Sequence, residues 1–311
     1  MISEAIDGFL PSIRKNKTLN NQAVYSRDGI QFMQMGNCLI RYRVVGSGSK
    51  TLVFETDPPV VIEHYDELVS LLKNDYRLVI FEPPGFGFSV PSMTLDYGFK
   101  SVVNITEQFL DRLGLGPYVF NAPCVLGYGA LGLAQKRPDL IERLVLMQVP
   151  SWQEMLKWKQ GRDPQGILGT PVLGQLLLQM LKRKRTPQWF EASLGSMKLH
   201  AHFNEVAQQA FKQGASFNLA TGFQKYLSGP FPLTHKAQQP SLIIWGELDK
   251  SHCDTCKAST SVMVEDAEVI HIKESGHFPE LETPDIFCGH LINFLEVQEK
   301  PVNHSELSQS I

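Results

Sequence analysis

The chain is 311 residues long, 43% hydrophobic and 20% charged, with 29 basic and 32 acidic side chains and a formal net charge of −3. That composition excludes a disordered chain and a fibre, and the apolar runs fall far short of the roughly 20 residues a membrane span needs. The balanced charge argues against a dedicated nucleic-acid binder, and the length suits one large α/β domain or two smaller ones.

Residues 1–27 are polar and mixed, which predicts a loosely docked arm or a short helix. Met1–Leu10 carries Glu4 and Asp7 and does not read as a secretory leader. Ile30–Met35 and Cys38–Val45 read as strands joined at Gly36-Asn37, a hairpin signal. Thr51–Glu55 is apolar almost throughout, as a strand buried on both faces should be. Ile62–Leu72 then has helical periodicity, Tyr76–Phe81 is a strand, and Glu82–Pro91 is a Pro/Gly loop. A helix over Ser101–Leu113 stops at Gly114. It is followed by a strand (Tyr118–Cys124), a small-residue helix (Leu126–Lys136) and a strand (Leu144–Gln148). Strands alternating with helices of this length predict βαβ units and a mostly parallel sheet.

The alternation stops near Pro150, and the pattern is helical only as far as about Thr234. It resumes with strands at Ser241–Trp245 and Val269–Ile272 and a helix near Pro284–Leu295, before a polar tail, Glu296–Ile311, expected to fray. The expected organisation is one α/β core, residues 1–149 and 236–311, with a helical cap, 150–235, inserted over the carboxyl ends of the strands, where open sheets bind ligands. Trp152, Met155, Leu173, Leu176–Leu178, Phe203 and Phe217 are expected to line an apolar pocket for a small to medium substrate.

The five cysteines are scattered and odd in number, so no disulfide framework is expected, and the compartment implied is the reducing cytoplasm. Cys253-x-x-Cys256 beside His252 is half a metal set with no second half. No metal or cofactor is therefore expected. His200 and His202 read as surface residues. Lys182–Arg185 reads as a solvated helix end, with an anionic acyl carrier or thioester as the alternative partner.

Three loops follow three strands and hold reactive side chains: Asn121–Gly127, Gly246-Glu247-Leu248-Asp249, and Glu274-Ser275-Gly276-His277-Phe278-Pro279. A nucleophile, an acid and a histidine in that chain order match the arrangement of the α/β-hydrolases. The chain resembles that superfamily over about residues 30–295. Gly85-Phe86-Gly87-Phe88-Ser89 is similar to its loop after the fourth strand, and Arg137–Leu146 to the run into its sixth. Gly246–Asp249 resembles its acid loop, and Ser275–Pro279, continued by Glu280–Phe287, its histidine loop.

The resemblance implies an α/β-hydrolase fold with a helical cap. The usual Gly-x-Ser-x-Gly elbow is absent; counting back from Pro138 in the family's spacing lands on Cys124, within Ala122-Pro123-Cys124-Val125-Leu126. A rival register puts Gly129 at the elbow and has no nucleophile. Gly127–Gly132 also fits G-x-G-x-x-G, but inside the expected helix, and reads as close packing. The implied roles are Cys124 as nucleophile, His277 as general base and Asp249 as its orienting acid. The backbone N–H groups of Val125 and Asp57 would hold the oxyanion.

Glu55-Thr56-Asp57 stands where the family has His-Gly, so two carboxylates border the site and oppose a developing oxyanion. Glu55 is then either a buried acid–base group or a structural partner of a cap residue or Arg77. The expected function is a cofactor-independent hydrolase or acyl transferase for an apolar ester, thioester or lactone. The alternatives are a non-hydrolytic lyase, isomerase or cyclase, and an inactive ligand-binding relative.

Overall fold

The computed structural model describes residues 2–297. Eight strands form its main sheet: β1 (Ile30–Met35), β2 (Cys38–Val45), β3 (Thr51–Glu55), β4 (Arg77–Phe81), β5 (Tyr118–Pro123), β6 (Ile141–Met147), β7 (Ser241–Gly246) and β8 (Ala267–Ile272). Their spatial order is β1-β2-β4-β3-β5-β6-β7-β8. The β1–β2 hairpin is antiparallel, β2 lies antiparallel to β4, and every later pairing is parallel.

Parallel strands are buried on both faces because their crossover helices cover both, and alternate residues divide between two cores. Val53, Val79, Phe81, Phe120 and Leu144 face α3 (Phe99–Leu113) and α4 (Gly127–Lys136). Leu52, Phe54, Leu78, Ile80 and Val119 face α2 (Asp66–Leu72) and the last helix, Pro284–Val297. Gly114 ends α3 at φ +64, a left-handed cap whose N–H reaches the Leu110 carbonyl.

The expected elements are present with shifted edges. β6 begins at Ile141, not Leu144, because Ile141 and Arg143 already pair with β5 while Glu142 and Arg143 mask the apolar pattern. Ile62–Tyr65 is a 3₁₀ turn ahead of α2. The segment between β6 and β7 is not purely helical: besides α5 (Trp152–Arg162), α6 (Leu173–Ser193) and α7 (Met197–Gln213), Ser216–Phe217 pairs antiparallel with Phe86–Gly87. A two-residue ladder is too short to leave an alternation in the sequence.

Residues 2–19 form an eighteen-residue helix, α1, more ordered than an arm. Two of its acidic residues, Glu4 and Asp7, are buried and partnered. Asp7 accepts a hydrogen bond from the Thr221 hydroxyl, the Asp7 carbonyl accepts one from Asn218 at 3.3 Å, and Glu4 pairs with Lys225 at 3.1 Å. The final helix runs to Val297; the rest of the tail expected to fray, 298–311, lies outside the described residues. Among the described residues no helix is long and apolar enough to cross a membrane.

Candidate active site

Three strands, β5, β7 and β8, deliver the site from one edge of the sheet, with β6 between the first two. β5 ends at Pro123, and Cys124 opens a 3₁₀ turn with φ +45 before α4 begins. A non-glycine residue there is strained, and a sharp strand-to-helix turn of this kind presents a side chain beyond the sheet edge. Gly127, expected inside the helix, stands at its first position. Its motif still holds no cofactor: a Cβ on Gly127 would meet Val149 at 2.5 Å and one on Gly132 would meet Phe99 at 2.5 Å. This is close packing, with no room for a pyrophosphate.

After β7, Asp249 does two jobs. Its Oδ1 accepts the Ser251 N–H at 2.8 Å, capping a turn, while Oδ2 takes His277 Nδ1 at 2.6 Å. Gln148, at φ +56 just beyond β6, donates to the same Oδ2 at 2.8 Å and fixes the carboxylate. After β8, the Gly276–Phe278 loop is pinned by Glu282, whose carboxylate accepts the N–H groups of Gly276, Phe278 and, from the α6–α7 connection, Gly195.

The far side of His277 differs from expectation. Its Nε2 meets Asp57 Oδ2 at 3.0 Å, so Asp57 reaches the site by its side chain as well as its backbone. Among the described residues no hydrogen bond occupies the Asp57 N–H. An imidazole that the sequence pattern does not assign also reaches the Cys124 sulfur: His252 Nε2, at 3.7 Å. Its only signal is its place three residues after Asp249, in a stretch read there as half a metal set. Cys124, His252 and His277 each offer an atom within 4.8 Å of the others. The two imidazoles stack (5.4 Å, 18°), Trp158 stacks on His252 (5.3 Å, 7°), and Trp189 meets His277 edge-on at 5.5 Å.

Burial sets the charges. It pushes the Cys124 thiol up, partly offset by His277, and holds His252 down to about 3, so that imidazole is neutral. Burial opposes a charge on His277 too, but Asp249, Cys124 and Asp57 together hold it well above its ordinary value. Asp57 is raised by burial, with His277 pulling the other way, whereas Asp249 stays low because His277 outweighs its burial. Asp249 and Asp57 thus both favour the charged form of His277, beside a thiol whose ionisation burial opposes.

Glu55 pairs with neither Arg77 nor a residue of the β6–β7 helices among the described residues, and its Oε1 is buried without a partner. Thr56 is buried beside it, its hydroxyl equally unpartnered. Burial, and then Asp57, push Glu55 up to about 8 from an ordinary 4.5, and burial does the same to Glu280. Such groups hold a proton in the folded state that the unfolded chain has released, so their contribution is full below about 4.5 and fades as pH rises through about 8. Glu55→Gln is therefore expected to lessen the fall in unfolding free energy as pH rises towards about 8, leaving the parts due to Glu280, Glu282 and His277. Urea unfolding at several pH values checks this; an unchanged slope would mean that Glu55 is solvated.

The pocket above Cys124 is apolar but not lined as expected. Of the residues named from the sequence, Phe217 lines it; Pro83, Pro84, Phe86, Trp158, Trp189, Phe223 and Tyr226 do most of the work. Trp152 instead packs edge-on against Tyr128 at 5.0 Å, and Met155 lies in the core. Phe203 is wedged between Phe190 and Phe278, Leu178 packs against Ala210 and Phe211, and Leu173 and Leu176 face solvent. Cys253 and Cys256 are exposed, His200 is tied to the Pro187 carbonyl at 2.8 Å, and Lys182 donates to the Ala215 carbonyl at 3.1 Å.

A family model for the alpha/beta hydrolase fold matches residues 61–284. The uncharacterized hydrolase YugF of Bacillus subtilis is 19% identical over 244 residues, covering 75% of this chain and 85% of that one. An epoxide hydrolase of Bacillus megaterium superposes with a TM-score of 0.63 at 18% identity, covering 86% of this chain and 100% of the other. The Cif epoxide hydrolase of Acinetobacter nosocomialis does so at 0.65 and 17%, covering 94% and 96%. At such identities the structural likeness speaks for the fold alone.

Proposed function

Because the chain belongs to the α/β-hydrolase-fold family, we propose that it is a cofactor-independent hydrolase or acyl transferase that attacks a small to medium apolar ester, thioester or lactone through Cys124. The observation that carries this reading is the thiol at φ +45 on the strand-to-helix turn, at the floor of an apolar pocket and beside His277. The helices of 150–235 serve as the cap that shapes that pocket, over a core of 1–149 and 236–311.

The proton ledger assigns Asp57 a role. His277 passes its Nε2 proton to Asp57, the freed nitrogen takes the thiol proton, and the thiolate attacks the carbonyl carbon. Asp249 keeps the ring oriented throughout. Asp57 becomes neutral in the same step, which removes the like-charge opposition to the oxyanion held by the Val125 and Asp57 N–H groups. The leaving alcohol or thiol takes its proton back from His277, and water or an acceptor alcohol releases the acyl group. A free thiol suits a reducing compartment, and we place the reaction in the cytoplasm.

The test is peptide-mapped mass spectrometry after brief exposure to activated esters and acyl thioesters. A transient acyl adduct on Cys124 that His277→Ala abolishes is the expected result. A folded protein that gives no adduct, and whose Cys124 alkylates no faster than a buried thiol, overturns it.

A second reading rests on the Asp57–His277 contact itself. With Nε2 on a carboxylate rather than the sulfur, the pair is an acid–base couple facing an apolar pocket, as a lyase, isomerase or cyclase would use. Under that reading Cys124→Ala spares turnover and Asp57→Asn abolishes it.

A further inference from the structure

We propose that Cys124, His252 and His277 form a binding site for a borderline-soft divalent cation, Zn²⁺ being the type, and that an ion seated there takes the Cys124 sulfur out of reaction. The three side chains come from two separate loops and the turn after β5, and all are buried. One thiolate and two imidazoles are donors such ions prefer. With Zn–S of about 2.3 Å and Zn–N of about 2.0 Å, two ligands of one tetrahedral ion stand roughly 3.6 Å apart. Cys124 Sγ and His252 Nε2 are 3.7 Å apart, and the whole group fits within 4.8 Å.

The outer nitrogens are already occupied as metal-bound imidazoles require. His277 Nδ1 is held by Asp249 at 2.6 Å, and His252 Nδ1 by the Thr255 hydroxyl at 3.1 Å. Stacking between Trp158 and His277 fixes the His252 ring plane. The charge also closes: a doubly charged ion is matched by the Cys124 thiolate and the Asp249 carboxylate once Asp57 has taken the His277 Nε2 proton across their 3.0 Å contact. Loading releases the thiol proton to solvent and passes the His277 Nε2 proton to Asp57, which frees that nitrogen for the ion. Binding stands on this geometry alone; silencing of turnover rests on the reading of Cys124 as the nucleophile.

Co²⁺ titration of the full chain, stripped with chelator, separates the two. One equivalent should produce a thiolate-to-cobalt charge-transfer band that Zn²⁺ bleaches by displacement. The band should survive Cys253→Ser/Cys256→Ser and vanish in His252→Ala and, independently, in Cys124→Ala. Thr255→Val should weaken the apparent affinity by about 10-fold. No band at one equivalent, or a band that survives His252→Ala and disappears with Cys253 and Cys256, overturns the site. Zn²⁺ should also suppress the acyl adduct on Cys124, with chelator restoring it. An adduct indifferent to Zn²⁺ in a chain that shows the band refutes the silencing, and a band without any adduct refutes the nucleophile while leaving the site intact.

Discussion

Cys124→Ala is expected to lower turnover of an activated thioester by at least ~10³-fold, the scale on which removal of a nucleophile acts when pocket and oxyanion donors survive. The fold should tolerate the change, because alanine keeps the backbone and removes one sulfur atom; unfolding free energy should move by about 1 kcal/mol. Steady-state kinetics beside urea unfolding separate the two effects. Asp57→Asn tests the proton ledger in the same assay. An amide cannot receive the Nε2 proton or stabilise the imidazolium, so His277 should titrate lower and the acidic limb of the pH–rate profile should shift downward. If the Cys124→Ala protein keeps more than about a tenth of the wild-type rate, covalent acyl chemistry is the wrong class.

The largest loss of stability is expected at Arg41, which does not itself line the Cys124 pocket. Arg41 is wholly buried on β2, donating to Glu82 Oε1 at 2.8 Å, to the Val24 carbonyl at 2.8 Å, and to Glu63. Glu82 in turn accepts the N–H groups of Phe88 at 2.6 Å and Ile62 at 3.3 Å, and its carbonyl accepts the Ser89 hydroxyl. Gly87, at φ +53, lies so close that a Cβ would meet the Glu82 carboxylate at 2.2 Å. Arg41→Met strands that carboxylate in the interior and is expected to cost about 3–5 kcal/mol. Adding Glu82→Gln removes the stranded charge and should recover part of the loss. Since the same loop carries Pro83, Pro84 and Phe86 to the pocket, KM should rise with it. A cost under about 1 kcal/mol would show that water reaches Glu82.

The parallel core was legible because strands buried on both faces leave unbroken apolar runs, as in Thr51–Phe54 and Leu78–Phe81. Asp249 and His277 were legible because loop composition after a strand marks the sheet edge. His252 was not: a histidine three residues beyond the acid has no pattern of its own, and the fold of the loop decides where it points. The Asp57 carboxylate was legible as a border of the site, but its pairing with His277 was not, for the same reason. The pocket failed on a different ground. An apolar helix face does not say whether it meets a cavity or another helix, so Trp152 and Phe203 were assigned to the pocket while Trp158 and Trp189 were passed over. In α1, the carboxylate of Asp7 argued for exposure, and only its partner Thr221, 214 positions away, explains its burial.

The column Trp158–His252–His277–Trp189 has an optical consequence. A protonated imidazole quenches a neighbouring indole more strongly than a neutral one, and here Trp158 stacks on His252 while Trp189 meets His277 edge-on. The protein thus carries its own emission gauge for the charge on His277. Fluorescence should brighten as pH rises through the titration of that ring, with most of the change lost in Trp189→Phe, whose indole touches His277 directly. The same signal, followed in a stopped-flow mixer, would time the proton's departure without any label.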